Sequence, residues 1–247
     1  MAEAPGCGPG NLAGSSPVAH PNVTDRTRKR MTLTDPNYTA IMLLVDRSGS
    51  MQSIRESAEA GIHEFIVSQA AQTTGRRTIR LAQFDMEYEL VHPSVLAKDA
   101  PTFTLQPRGS TALLDAMGRS IGEFGAELAA LPEDQRPGTV IYAVMTDGAE
   151  NSSREFTWDT IKAVVEHQES HYGWEILYLG ANQDAIATGA NLGIRVSRSM
   201  TYSASGVGTK AAYNSMHTYV ATAATGAPAT FTDEDRQAAM ATDDDDE

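Results

Sequence analysis

The sequence predicts an α/β fold: a doubly wound, mostly parallel six-stranded sheet with one antiparallel edge strand. Two observations carry this. Short, almost wholly apolar runs at 39–45 and 139–146 suit strands covered on both faces. Between the strands lie helix-length stretches with apolar residues three and four apart, the pattern of helices that return the chain between parallel strands. A length of 247 residues, 41% hydrophobic and 21% charged, is enough to bury the core of one such domain and hardly of two.

The first strand, 39–45, is followed by Ser53-Ile54-Arg55-Glu56, which fits a capping box. It opens a helix whose apolar positions Ile54, Ala58, Ile62, Phe65 and Ile66 share a face. Segments 77–85 and 88–92, joined by a tight turn, form the antiparallel hairpin. A helix from about Thr111 carries Leu114, Met117, Ile121, Phe124 and Leu128 on one side. After the two-sided strand 139–146 come a helix at 158–171, a strand at 174–179 and a short helix at 185–192. A short edge strand at 194–197 follows, then a last helix at 208–224.

Residues 1–34 are rich in Gly, Pro, Ser and Ala and read as a disordered leader, so the domain is expected over 35–226. The segment 227–247 ends in Asp243-Asp244-Asp245-Asp246-Glu247 and reads as an acidic disordered tail. The formal charge of −13 argues against nucleic acid as a partner, because phosphate backbones are held by clustered Lys and Arg. The single cysteine, Cys7, cannot build a disulfide framework. No apolar run reaches the roughly 18 residues of a membrane span, and the opening residues lack a signal-peptide core. The expectation is a cytoplasmic protein with no membrane partner.

Ligands of open α/β sheets sit beyond the carboxyl ends of the strands. The sequence places Asp46-Arg47-Ser48-Gly49-Ser50 after the first strand, Ser110-Thr111 before the second long helix and Asp147 after the strand 139–146. These loops offer only oxygen donors, the set that suits a hard divalent ion such as Mg²⁺. The alternation of Asp46, Ser48 and Ser50 allows a tight loop to aim three side chains at one point.

Asp46-Arg47-Ser48-Gly49-Ser50 resembles the D-x-S-x-S element of von Willebrand factor type A (vWA) domains, their metal-ion-dependent adhesion site. Thr111 and Asp147 fall where that family carries its threonine and second aspartate, and the likeness covers roughly residues 38–224. At ordinary Asp and Ser usage the five-residue element alone arises in roughly one chain in twenty, so the order of all three pieces is what makes the match specific. The resemblance implies a Rossmann-like vWA fold and no enzyme activity. It implies a site for Mg²⁺ (or Mn²⁺ or Ca²⁺) formed by Asp46, Ser48, Ser50, Thr111 and Asp147, at which a protein partner supplies an Asp or Glu carboxylate. The segment 178–185 is similar to one in intracellular bacterial and phage vWA proteins; such relatives often work beside an AAA+ ATPase, which makes one a candidate partner.

A competing reading is a metal-dependent hydrolase acting through an activated water, with Glu150 as the one obvious base. Asn151, Asn182 and Asp184 lie near the same edge, where capping and turn roles explain them equally well. His167 and His171, four apart, lack a third zinc ligand, and Gly206-Val207-Gly208-Thr209-Lys210 lacks the order of a phosphate loop.

Overall fold

The computed structural model describes residues 34–243. Six strands form one sheet in the order β3-β2-β1-β4-β5-β6. They are β1 (Asp35–Asp46), β2 (Arg76–Phe84), β3 (Tyr88–Leu96), β4 (Pro137–Thr146), β5 (Glu175–Ala181) and β6 (Ser199–Tyr202). All neighbouring pairs are parallel except β2–β3. The antiparallel strand lies at the edge, where Pro93 removes a donor without breaking an internal ladder. The helices are α1 (Arg55–Ala70), α2 (Leu113–Ala129), α3 (Trp158–Tyr172), α4 (Ala185–Asn191), α5 (Gly206–Ala223) and α6 (Asp233–Ala239).

The alternation of side chains along a strand sorts the core into two layers. Ile41, Leu43 and Val45 pack with Ile141, Ala143 and Met145 against residues of α1, α5 and α6. Met42 and Leu44 pack with Tyr142 and Val144 against residues of α2, α3 and α4. Both faces of β1 and β4 are therefore covered, which accounts for their unbroken apolar runs.

Three expectations need correction. The capping box at Ser53 does not form: residues Gly49–Ile54 wind into a 3-10 turn, α1 begins at Arg55, and Ser53 Oγ donates back to the Ser50 carbonyl at 3.2 Å. The tight turn consumes the residues that a direct helix start would have used. The last strand lies at Ser199–Tyr202 rather than 194–197. Ile194 is buried with the α2–α4 layer just beyond α4, so its apolar character reflects packing there, and Val196–Arg198 forms another 3-10 turn.

The third correction concerns the acidic end. Residues through 243 belong to the folded unit, and α6 opens with a true capping box between Thr232 and Asp235. Phe231 is buried against the Tyr219 ring, with centroids 5.3 Å apart, and the Arg236 guanidinium donates to the carbonyls of Val196 and Ser199. The local cap and one aromatic anchor outweigh the charge density that suggested a tail. Residues 1–33 of the expected leader, Cys7 included, and residues 244–247 lie outside the described residues.

Replacing Phe231 with alanine is expected to cost about 3–5 kcal/mol in chemical denaturation, as for other buried aromatics. A loss near zero would mean that α6 does not hold the domain together.

Candidate metal site

Parallel pairing of β1 with β4, Val45 beside Met145, brings Asp46 and Asp147 out at the same sheet edge. Asp46 is fully buried. Its Oδ1 accepts from the Ser48 N–H at 2.6 Å and its Oδ2 from Thr146 Oγ1 at 2.5 Å. Ser48 and Ser50 hydroxyls lie 3.1 Å apart, and Ser50 Oγ donates to Asp147 Oδ1 at 2.6 Å. Gly148 gauges the remaining convergence. A Cβ built on it would stand 2.8 Å from Thr111 Oγ1 and 3.5 Å from both Asp46 Oδ2 and Ser48 Oγ. Oxygens from three loops thus surround one small space that only a glycine leaves clear. Asp46, Ser48 and Thr111 are buried, Asp147 is half-buried and Ser50 is exposed, so the cluster is closed below and open on one side.

The loops are held by a second cluster, centred on Asp85. Its Oδ2 accepts from Arg108 Nε at 2.7 Å and Arg47 Nε at 3.2 Å, and its Oδ1 accepts from the Glu87 N–H at 2.7 Å. Arg47 also pairs with Glu89. Burial pushes Asp85 up, but these bonds and the charges of Arg108 and Arg47 outweigh it and hold the carboxyl below its usual range. Backbone bonds complete the fastening: Arg108 N to Arg47 O at 2.7 Å, Gly49 N to Gly109 O at 3.1 Å and Ala112 N to Asp85 O at 2.9 Å. Gly109 sits at φ +68°, a conformation that favours glycine, and this turn aims its carbonyl at Gly49.

Asn151 clamps Thr111 at two points, accepting its N–H on Oδ1 at 3.0 Å and donating its own backbone N–H to the Thr111 carbonyl at 3.0 Å. Glu150 is fully used. Its carboxylate accepts from the N–H groups of Leu114, Ser152 and Ser153 and from Ser153 Oγ, at 2.7–3.0 Å. Asp184 caps α4 through the Ala187 N–H, and Asn182, at φ +48°, accepts from the Ala204 N–H.

Among the described residues Asp46 and Asp147 differ from Asp85 in one respect: neither meets an arginine or lysine. Burial, helped by the charge of Asp147, raises Asp46 to about 6 despite bonds from Thr146 and Ser48. Burial raises Asp147 as well, against its bond from Ser50. Two poorly hydrated carboxylates without a protein cation form a place where a divalent ion gains the charge that the fold withholds.

All five predicted oxygen ligands therefore meet at one edge. The sequence did not single out Asp85, Thr146 or Gly148. Asp85-Met86-Glu87 reads as an ordinary hairpin turn, and only the pairing of Arg47 and Arg108 with it gives it a role. Among the described residues no group of three or more His, Cys, Asp or Glu side chains gathers as a metal site, so the candidate site rests on two carboxylates and three hydroxyls. The His167 and His171 rings stack, with centroids 4.3 Å apart. The N–H groups of Val207 and Gly208 are answered by Asp243 and Ser205, which leaves no phosphate cradle there.

No family model matches the chain, and no curated protein does. Solved structures do. Proximal thread matrix protein 1 from the mussel byssus aligns with a TM-score of 0.55 at 16% identity over 74% of this chain and 48% of its own. A von Willebrand factor type A protein from Catenulispora acidiphila aligns at 0.52 and 12% identity, covering 74% and 42%. The vWF domain of the pili tip protein Mfa5 from Porphyromonas gingivalis aligns at 0.54 and 11% identity, covering 75% and 95%. The chain thus spans less than half the length of the first two. Its fold, including the mostly parallel sheet with one antiparallel strand, is that of vWA domains. Another structure of the mussel protein, at a TM-score of 0.50 and 13% identity over 76% of this chain and 45% of its own, has zinc in its MIDAS motif.

Two outcomes follow from the geometry. An acid at about 6 in the folded chain and 3.8 when unfolded weakens the metal-free fold above pH 6, by roughly 3 kcal/mol at 1.36 kcal/mol per pH unit. That penalty fades as pH falls from 6 towards 3.8. Asp46→Asn should accordingly be more stable than wild type at pH 7 in EDTA, with the advantage gone near pH 4. Thermal unfolding of both proteins across that range measures it. Gly148→Ala should lower Mg²⁺ affinity at least tenfold in calorimetry while leaving the far-UV spectrum unchanged, because its methyl enters the space the oxygens surround.

Proposed function

We propose that the chain is a divalent-metal-dependent protein-binding module that engages a carboxylate of its partner. The observation that carries this reading is the space beside Gly148, bordered by Thr111 Oγ1, Asp46 Oδ2 and Ser48 Oγ and linked through Ser50 to Asp147. An all-oxygen donor set suits Mg²⁺ above softer ions, with Mn²⁺ and Ca²⁺ as further occupants, and the zinc in the mussel protein's motif supports a divalent ion. Ser48, Ser50 and Thr111 would hold the ion through hydroxyls, and Asp46 and Asp147 directly or through water. An ion held there supplies positive charge at an edge that the protein leaves open on one side, and a partner's Asp or Glu can complete its surroundings.

What this chain itself does is prepare that edge. Thr146 and the Ser48 N–H fix the Asp46 carboxylate, Ser50 fixes Asp147, and Asn151 holds the Thr111 backbone. The Asp85 cluster keeps Arg47 and Arg108 turned away from the two acids, so neither carboxylate is neutralised from within. A hydrolase would need a free base beside the same ion. Glu150, the candidate, already accepts four hydrogen bonds, which favours binding over hydrolysis. An AAA+ ATPase is a proposed partner on the resemblance to intracellular bacterial vWA domains alone. Among the described residues no helix is long and apolar enough to cross a membrane.

In a pull-down from the native host, EDTA and Asp147→Ala are each expected to abolish capture of a common protein, and Asp147→Ala to lose Mg²⁺ binding in calorimetry with its fold retained. Capture that survives both treatments would falsify the proposal.

A further inference from the structure

The opposite end of the sheet carries a cavity of contrasting charge. β2 starts at Arg76 and ends beside Asp46, so the two ends are separated by roughly 9 residues of strand, about 30 Å. Around the start of β2, the end of β3 and the last turn of α1 lies a cavity of about 340 Å³. Arg76, Arg77 and Lys98 line it together with Gln69 and Gln72, and among the described residues no acidic side chain does. In a chain with 32 acidic against 19 basic residues, a cavity lined by basic residues and by no carboxylate runs against the composition.

Arg77 sharpens the contrast. Every other arginine fork in the folded body with little exposure is answered: Arg47 by Asp85 and Glu89, Arg80 by Glu123 and Glu127, Arg198 by Glu169 and Glu175. Arg136 is answered by the carbonyls of Leu131 and Ala129. Arg77 is half-buried and donates from Nη1 to the Gln69 amide oxygen at 3.2 Å; among the described residues its buried Nε, like that of Arg80, meets no partner, and unlike Arg80 it meets no carboxylate. Burial pulls its guanidinium below the ordinary value. Nor does it serve the end of α1. The carbonyls of Val67, Ser68 and Gln69 accept from the Ala71 N–H, the Gln72 side chain and the Gln72 N–H. Gln69 is itself fixed, its Nε2 lying 3.0 Å from His217 Nδ1, so the one neutral contact of Arg77 is also a positioning contact. Lys98 is exposed, with only a 3.7 Å approach to Asp99, whereas the Arg76 guanidinium turns to the other face of the sheet, stacking over the Tyr38 ring at 3.6 Å and donating from Nη2 to the Gln135 carbonyl at 3.4 Å.

We propose that this cavity binds a phosphate group, free or carried by a small phosphorylated molecule, between Arg77 and Lys98. A planar guanidinium fork offers paired donors to a phosphate, and the flanking Lys98 adds charge. The volume falls at the small end of ligand pockets, so a phosphomonoester of a compact molecule fits as well as the bare ion. Being metal-independent and at the far end of the sheet, the site stands or falls apart from the proposed metal site.

The test is an amide chemical-shift titration of the full chain in EDTA with inorganic phosphate, glycerol phosphate and acetate. Saturable shifts confined to residues 69–77 and 96–98 are expected for both phosphates and not for acetate. Arg77→Gln should weaken phosphate binding at least tenfold, Lys98→Ala, at an exposed position, several-fold, and Asp46→Ala not at all. Shifts that fail to saturate, spread to other arginines, follow acetate equally well or persist in both cavity variants would overturn the assignment.

Discussion

Burying the Asp46 carboxylate at the end of β1 without a protein cation is the constraint around which the upper edge of the sheet is organised. A carboxylate out of water is tolerated when hydrogen bonds and charges replace its hydration. Thr146 and the Ser48 N–H replace part of it, and the residual strain is visible in a carboxyl raised to about 6. The fold could have neutralised this acid with Arg47, the next residue in the chain. Instead Arg47 turns to Asp85 and Glu89. The edge is thereby stable enough to form and still short of positive charge.

Asp85 and Asp46 make the point as a pair. Both are buried and both end neighbouring parallel strands, since Asp46 lies beside Phe84 in the register. Asp85 receives two guanidinium groups and a backbone N–H, and is held low; Asp46 receives neutral donors only, and is held high. One is consumed in fastening loops 47–49 and 108–112, the other keeps a carboxylate that neutral donors alone answer. The same division separates Glu150, spent on the N–H groups that start α2 and the loop after it, from Asp147, whose single side-chain partner is a serine hydroxyl.

The parts of this arrangement that were legible in the sequence are those encoded within a few residues of one another or by strand ends. Asp46, Ser48 and Ser50 sit in one five-residue turn, and Thr111 and Asp147 adjoin recognisable apolar runs, so topology alone brings them together. The two-sided strands β1 and β4 declared themselves by unbroken apolar runs, because helices cover both faces. Asp85 was hidden because its partners lie 38 and 23 residues away. Ser53 misled because a local S-x-x-E pattern does not reveal that a 3-10 turn precedes the helix. The end of the chain misled in the opposite way: the acidic residues drew attention from Phe231 and from the Thr232–Asp235 box, which together dock α6 on α5 and β6. Ile194 suggested a strand because hydrophobicity reports burial without saying against what.

Net charge is a poor guide to what this molecule recognises, because the sheet distributes its charges by end. A parallel sheet puts all the carboxyl ends of its central strands on one edge, and here that edge carries the two uncompensated acids. The amino ends carry Arg76 and Arg77, the first two residues of β2, beside Lys98 just after β3. The surplus of acids has been used to answer the other buried arginines, and the count runs out at Arg77, whose nearest neutral partner, Gln69, orients it without discharging it. The chain is acidic as a whole, yet each end of β2 lacks the charge opposite to its own: positive charge beside Asp46, negative charge beside Arg77. By the same electrostatics, the proposed metal and phosphate sites would take ligands of opposite sign at opposite ends of the sheet.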